Sequence, residues 1–183
     1  MKRILFLMVT LLLTMSALLL TTAPVLACIP ARWTGGGTID TAAIIPAGGV
    51  KVTHGFEFHT TEGPFPGPYP IPGPNNFEVN WGGNHFHLTQ LSWTDDVMNP
   101  LLPLPDPPTA PVNEVYGLGV GQLNGVDGAT IYFHLTDVGE PGKNDFAHIE
   151  IWVPGANRNT ATPILLVEGN LKSGNQQAHP TNK

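Results

Sequence analysis

The stretch that decides the fold is NFEVNWGGNHFHLTQL, residues 76–91. In its first half Phe77, Val79 and Trp81 alternate with polar residues, and in its second half Phe86 and Leu88 do the same. A period of two places alternate side chains on opposite faces, which is typical of a half-buried β-strand. Two glycines separate the halves and indicate a tight reversal. The stretch therefore predicts two strands that run back alongside each other.

The same alternation recurs along the chain. It predicts further strands over residues 51–59, 115–123, 129–136, 146–153 and 164–168, and it places Val153 on the buried face of its strand. Asn124-Gly125 lies between two of these strands and predicts a hairpin turn. Short strands at this spacing are typical of sandwiches and barrels. We expect an all-β fold with little or no helix, specifically an antiparallel β-sandwich of jelly-roll or immunoglobulin-like type.

The composition supports a chain rich in turns and poor in charge. Charged residues make up 12% of the 183 residues, and there are 21 glycines and 19 prolines. This composition excludes a helical bundle or a coiled coil. The formal net charge is −6, without clusters of Lys or Arg. Because nucleic acids are bound mainly through basic contacts to phosphates, nucleic acid is excluded as a partner.

Two proline-rich segments interrupt the strand pattern, at residues 64–74 and 99–111. Proline has no N–H to give to a central ladder, so we expect long, stiff, polyproline-like loops at the surface. Phe65, Tyr69 and Ile71 could form an exposed recognition ridge on the first segment. The alternative is a rigid connection without a binding role.

The first 27 residues have the pattern of a signal peptide. Met1-Lys2-Arg3 is basic, an apolar run follows, and Val25-x-Ala27 has the small residues that a signal peptidase requires. We therefore expect residues 28–34 to be an N-terminal linker and residues 35–183 a single domain of a secreted or extracellular protein.

Cys28 is the only cysteine, so an internal disulfide is impossible. Directly after the predicted cleavage site, this cysteine has two interpretations. It carries the lipid of a bacterial lipoprotein, or it is the first residue of a freely secreted chain. The lipid anchor is the only predicted contact with a membrane.

Histidine is the first candidate for metal chemistry. On one strand His85 and His87 place two imidazoles about 7 Å apart, close enough to share a zinc ion with a third ligand. His59, His134 or His148 could supply it if their strands are neighbours. The alternative is that these histidines are ordinary strand residues.

The second candidate is the segment from 137 to 145. Asp137, Glu140, Asn144 and Asp145 offer the hard oxygen ligands that calcium prefers, on one loop. Lys143 within it would oppose a cation. The alternative is structural, with Asp137 capping a turn and Asp145 opening the next strand through an Asx bond. Calcium is the only cofactor predicted as an option, and the default expectation is none.

Signals for catalysis are few. Beyond the leader only Ser92 and Ser173 remain as serines, and no nucleophile-elbow motif is present. Pairs of carboxylates for glycoside hydrolysis could come from strand residues Glu57, Glu78 and Glu150. The four tryptophans could stack on sugars, although at least two are expected to fill the core. They are Trp33, Trp81, Trp93 and Trp152.

Several segments together resemble a family of uncharacterised exported bacterial β-sandwich domains, which occur as small secreted proteins and as modules of larger surface proteins. The segments are residues 35–39 (GGGTI), 52–56 (VTHGF), 75–88 (NNFEVNWGGNHFHL), 136–145 (TDVGEPGKND) and 174–179 (GNQQAH). The resemblance implies an extracellular β-sandwich-like domain and no particular catalytic or ligand site. Relatives often carry a cysteine after the strand ending at His59, where this chain has Thr60, so the family disulfide is not expected.

The sequence thus favours an exported, non-catalytic surface domain with a structural or binding role toward a cell-surface glycan or protein. One alternative is a carbohydrate-binding module, stabilised by calcium in one version. The other is a metal-dependent hydrolase that uses His85 and His87.

Overall fold

The computed structural model describes residues 30–39, 41, 43–46, 48–61, 70–105 and 109–181. The predicted signal peptide (1–27), Cys28, and the aromatic residues Phe65 and Tyr69 of the first proline-rich segment lie outside the described residues. The described part of the chain is all β apart from one 3₁₀ turn. The elements are β1 (Ala31–Ile39), β2 (Val52–His59), β3 (Asn76–Trp81), β4 (Asn84–Val97), β5 (Glu114–Leu123), β6 (Val126–Thr136), the turn Gly142–Asn144, β7 (Phe146–Trp152) and β8 (Leu165–Pro180).

The strands form one closed antiparallel barrel in which each strand pairs with its neighbours in sequence and β8 pairs with β1. The all-β prediction is confirmed, and the predicted sandwich is wrong. Closure depends on β8, whose first part pairs with β7 (Ile151↔Leu165) and whose last part pairs with β1 (Ala31↔Pro180). A sheet that closes on itself has no unpaired edge, so it needs no second sheet to cover its inner face.

The barrel begins within the segment that the sequence predicts as an N-terminal linker. β1 begins at Ala31, so residues 31–34, expected in the linker, belong to the sheet. Its three glycines permit a very close approach to both neighbours. A Cβ on Gly36 would lie 2.3 Å from the carbonyl oxygen of His54, and its φ of 150° is unfavourable for other residues.

The predicted turns are present. Asn124 and Gly125 have φ angles of 52° and 82°, which are those of a type I′ hairpin between β5 and β6. The reversal at Gly82 and Gly83 joins β3 to β4 in the same way. One predicted core position is wrong. Val153 is 42% exposed because β7 ends at Trp152 and the chain turns away from the barrel.

Side chains fill the barrel across its width. The rings of Phe77 on β3 and Phe133 on β6 come from strands that are not neighbours, yet their centroids are only 4.8 Å apart. Gly117 on β5 makes room for the Phe133 ring, since a Cβ there would lie 2.0 Å from it. The largest fully buried aromatic side chains are Trp33, Phe58, Phe77, Phe86 and Phe133.

Alternate loops lie at opposite ends of the barrel. One end of the barrel carries the β2–β3, β4–β5 and β6–β7 connections, the first residues of β1 and the last residues of β8. We call it the loop end. The described parts of both proline-rich segments (70–74, and 99–105 with 109–111) and the predicted calcium loop belong to it. The opposite end carries the two tight hairpins.

Candidate functional site

The predicted zinc ligands lie on the outer face of β4. There the carboxylate of Glu78, on the paired strand β3, contacts both imidazoles, His85 through Nε2 and His87 through Nδ1. The sequence did not single out Glu78 as a partner of these histidines. The alternation of β3 and β4 could have identified this contact, because the hairpin register places Glu78 opposite His87. All three side chains are partly exposed to solvent.

The proposed third zinc ligands are placed elsewhere. His134 on β6 and His148 on β7 lie directly opposite each other, and His59 ends β2. Within the part of the chain that the structure describes, no group of three or more His, Cys, Asp or Glu side chains is arranged to hold a metal ion. Zinc at His85 and His87 stays a prediction.

His134 and His148 belong to a polar row that runs across the outside of the barrel. Directly opposed residues on five successive strands form it, in the order Asp95, Tyr116, His134, His148 and Glu168. The rings of Tyr116 and His134 stack with their centroids 4.2 Å apart. His148 lies between two carboxylates, with Nδ1 3.0 Å from Glu168 and Nε2 2.8 Å from Glu150.

Glu114 anchors one side of this row. Its Oε1 accepts a hydrogen bond from the Tyr116 hydroxyl at 2.6 Å and lies 2.5 Å from Nε2 of His134. Burial raises the pKa of Glu114, but bonds from Tyr116, Asn99 and His134 outweigh it, so the pKa is lowered overall. Burial also lowers the pKa of His134, against the attraction of Glu114. The row therefore pairs its charges internally.

Two of the predicted calcium ligands, Asp137 and Asp145, lie at the seam of the barrel, by which we mean the place where the last part of β8 no longer pairs with β7. After Asn170, β8 no longer pairs with β7 and pairs with β1 alone among the strands. The N–H groups of β8 that point away from β1 therefore need other acceptors. Asp145 Oδ2 accepts the N–H of Gln176 and Asp137 Oδ2 accepts that of Ala178, both at 2.8 Å. The two carboxylates thus continue the hydrogen-bond ladder in place of a strand.

The other oxygens of the two carboxylates are also engaged. Asp145 Oδ1 accepts the N–H of Val138 and Asp137 Oδ1 accepts that of Gly139, both at 3.0 Å. Burial raises the pKa of Asp145 to about 7, and these N–H bonds lower it only in part. Burial raises the pKa of Asp137 in the same way. Asp137 thus caps the turn through the N–H of Gly139, as the structural interpretation expects, whereas Asp145 accepts from Val138 and Gln176 rather than forming an Asx bond at the start of β7.

The remaining two predicted calcium ligands lie outside this pair. Glu140 Oε1 accepts hydrogen bonds from Asn175 Nδ2 at 2.6 Å and from Gln177 Nε2 at 2.9 Å. Asn144, at the end of the 3₁₀ turn, contributes its main-chain carbonyl to Asn170 at 3.4 Å. Calcium in this loop stays a prediction, and binding would require oxygens that now accept hydrogen bonds.

The structure adds a buried acid that the sequence did not single out. Asp96, near the end of β4, points into the barrel and accepts a hydrogen bond from Trp33 Nε1 at 2.8 Å. Burial raises its pKa to about 7, against hydrogen bonds from Thr60 and Trp33 that lower it. The sequence does not reveal which of the adjacent residues Asp95 and Asp96 faces the inside of the barrel. A bulge earlier in β4 shifts the alternation of inward and outward side chains.

The tryptophans mostly fill the core, as expected. Trp33, Trp81 and Trp152 are buried, and Trp152 donates to the carbonyl of Ala161 at 3.0 Å. Trp93, on β4, is half-buried. A sugar-stacking platform of several exposed tryptophans is therefore not formed by these four side chains.

No protein-family model, curated protein or solved structure matches the chain. The resemblance to exported bacterial domains therefore stays a prediction. None of the described helical residues forms a helix long and apolar enough to cross a membrane.

Proposed function

We propose that the chain is an exported, non-catalytic surface domain that acts through its outer face and its loops, in a structural or binding role. The observation that carries this proposal is the contact between Phe77 and Phe133 across the barrel, 4.8 Å between ring centroids. Barrels that hold a small ligand keep a cavity between their strands. Here aromatic side chains occupy that space, so a partner has to be met at the surface.

The non-catalytic part of the proposal is supported by how the carboxylates are engaged. Glu57 forms an ion pair with Arg32, and Glu78 contacts two imidazoles. Glu150 lies 2.8 Å from His148. Each of the three carboxylates that could serve in glycoside hydrolysis is thus in contact with a basic side chain of the barrel.

Export rests on the leader pattern, and its test is direct. The full chain is produced in a bacterial host, the cells are fractionated, and the intact mass is measured. We expect a protein outside the cytoplasm that has lost residues 1–27. Additional mass on Cys28 that is absent from Cys28→Ala would show a lipid anchor. A cytoplasmic protein that keeps its first 27 residues would contradict export.

The glycan alternative now depends on Trp93. Tryptophan fluorescence is measured during titration with a panel of polysaccharides, for the unaltered chain and for Trp93→Phe. A change in emission that is absent from Trp93→Phe would support a carbohydrate-binding module. A flat titration across the panel would remove that alternative and leave the protein-binding or structural role.

A further inference from the structure

A loop at the loop end displays leucines to solvent although it is firmly held. In the β4–β5 connection Leu101 is 90% exposed and Leu104 is 59% exposed. The buried side chain of Asn113 fixes the loop from beneath. Its Nδ2 donates to the carbonyls of Asn99 at 3.0 Å and Pro103 at 3.1 Å, and its Oδ1 accepts the N–H of Asn99 at 2.8 Å. The leucines are therefore presented in a fixed arrangement.

The backbone of this loop is suited to an apolar environment. Pro100 and Pro103 have no N–H. The N–H of Leu101 donates to Asn99 Oδ1 at 3.0 Å, and that of Leu102 donates to the Asn99 carbonyl at 3.2 Å. From Asn99 to Pro103 every main-chain N–H thus has an acceptor within the protein. Lipid requires this, because it offers no hydrogen bonds to an unpaired backbone group.

The side chains of the loop meet the same requirement as far as Pro105, which is followed by Asp106. The sequence from 97 to 105 is VMNPLLPLP, which has no charged residue. Charged side chains are costly to bury in a bilayer, whereas leucines gain free energy there. The chain as a whole is acidic, which favours uncharged or zwitterionic lipids over anionic ones.

The start of the barrel places this loop next to the predicted membrane anchor. β1 begins at Ala31 at the loop end, and Trp33 reaches Asp96 at the end of β4 with a hydrogen bond of 2.8 Å. Only two residues separate Cys28 from Ala31, so the two positions lie about 10 Å apart at most. A lipid on Cys28 would hold the loop end, rather than the hairpin end, against the membrane.

We propose that the loop end faces a lipid bilayer and that Leu101 and Leu104 insert into its interface. This inference rests on the proposed export, and it adds the orientation of the barrel and the class of partner. It holds with or without a lipid on Cys28, because the leucines contribute their own apolar surface. One weak insertion combined with one lipid chain is the two-signal arrangement that gives stable anchoring.

The test uses the processed full chain with Cys28→Ala, so that no lipid chain contributes. Mass spectrometry first shows that residues 1–27 are gone, and flotation with phosphatidylcholine vesicles then measures partitioning. We expect Leu101→Ser with Leu104→Ser to lower the partition coefficient by about tenfold or more. The matched control is Val126→Ser, which changes a side chain that is 58% exposed at the hairpin end. It should partition like its parent.

The outcomes separate cleanly. Equal partitioning of the leucine variant and its parent would overturn the proposal, as would an equal loss in Val126→Ser. A third outcome combines two results: the parent does not float with vesicles, and the leucine variant alone is no longer retained in the cell envelope. It would overturn a lipid bilayer as the partner and favour a protein partner. Retention of residues 1–27 would instead contradict export. Near-ultraviolet circular dichroism checks that each variant is folded.

Discussion

The carboxylates of Asp145 and Glu78 belong to the two clusters that the sequence offered as metal sites, and their surroundings are opposite. Asp145 is fully buried and accepts main-chain N–H groups from Val138 and Gln176. Glu78 lies on the outer face of the barrel and contacts the imidazoles of His85 and His87. One side chain replaces part of a β-ladder, whereas the other contacts two imidazoles at the partly exposed surface.

The difference teaches that position in the barrel, rather than residue type, decides what these acids do. A buried N–H without an acceptor costs about 1–3 kcal/mol, because no water replaces the lost partner. An exposed ion pair contributes about 0–1 kcal/mol, because water solvates either charge when the other is removed. The buried acid therefore determines whether the seam stays closed, and the exposed acid leaves the fold largely unaffected.

The largest effect is expected from Asp145→Ala. It leaves the N–H groups of Val138 and Gln176 without acceptors, so the free energy of unfolding should fall by about 3 kcal/mol, measured by urea denaturation. Asp145→Asn keeps one acceptor oxygen and should lose about half as much, which provides a second variant if the first does not fold. Asp145→Ala with the stability of the unaltered chain would show that β8 does not depend on this loop.

The next effect is the pH dependence of stability. Burial raises the folded-state pKa of Asp145 to about 7, above its ordinary value of 3.8, so the folded state binds more protons than the unfolded state between these values. Its contribution to stability is complete below about pH 3.8 and is lost as the pH rises through about 7. Asp96 has the same direction and a similar pKa.

Urea midpoints measured from pH 4 to pH 8 would show this dependence. We expect a midpoint that falls with rising pH in the unaltered chain and a shallower fall in Asp145→Asn, in which the raised pKa values of Asp96 and Asp137 still contribute. Burial lowers the pKa of His54 to about 4, which opposes the fall equally in both chains. A midpoint that rises over this range in the unaltered chain and in Asp145→Asn alike would contradict the assignment to these two acids.

Metal removal is expected to have little effect at the buried cluster. Every carboxylate oxygen of Asp137 and Asp145 accepts a main-chain N–H, so calcium would have to replace bonds that hold β8. We expect the same melting temperature with and without chelator, alongside elemental analysis of the processed protein. Stoichiometric calcium with a lower melting temperature in chelator would contradict this. Stoichiometric zinc that is lost in His85→Ala with His87→Ala would support the exposed cluster as a metal site.

The smallest effect is expected from Glu78→Gln. The side chain is partly exposed, so the free energy of unfolding should change by less than about 1 kcal/mol, and added salt should reduce the change further. Urea denaturation at two salt concentrations measures both. A loss as large as that of Asp145→Ala would remove the distinction between the two clusters.

The strands with strong alternation could be predicted from sequence, whereas β1 and the last half of β8, which close the barrel, could not. Phe77, Val79 and Trp81 mark β3 because burial on one face demands apolar residues at every second position. β1 contains three consecutive glycines, and the last half of β8 is largely polar. The glycines of β1 separate its buried Trp33 and Ile39, so neither segment shows a continuous alternation, and their approach is made by backbone contact. A sandwich was therefore predicted where the chain forms a barrel.

The candidate site was predictable only in part, for a similar reason. Residue types suggested Asp137 and Asp145, and turn chemistry accounts for the bond from Gly139 to Asp137 but not for the bonds of Asp145. Their acceptance of hydrogen bonds from Gln176 and Ala178 depends on contacts more than 30 residues apart, which turn chemistry does not reveal. The same applies to Glu114 and His134, which meet through strand register alone.

The pairing of Ala31 with Pro180 has a consequence for how the barrel can be joined to other chains. Opposed residues of antiparallel strands lie about 5 Å apart, so the polypeptide enters and leaves the barrel side by side. The whole barrel could therefore be inserted into a surface turn of another protein, because the two ends of the insert lie as close together as the two ends of the turn. The two ends could equally be linked and new termini opened at Asn124–Gly125, where exposed tight turns tolerate a break.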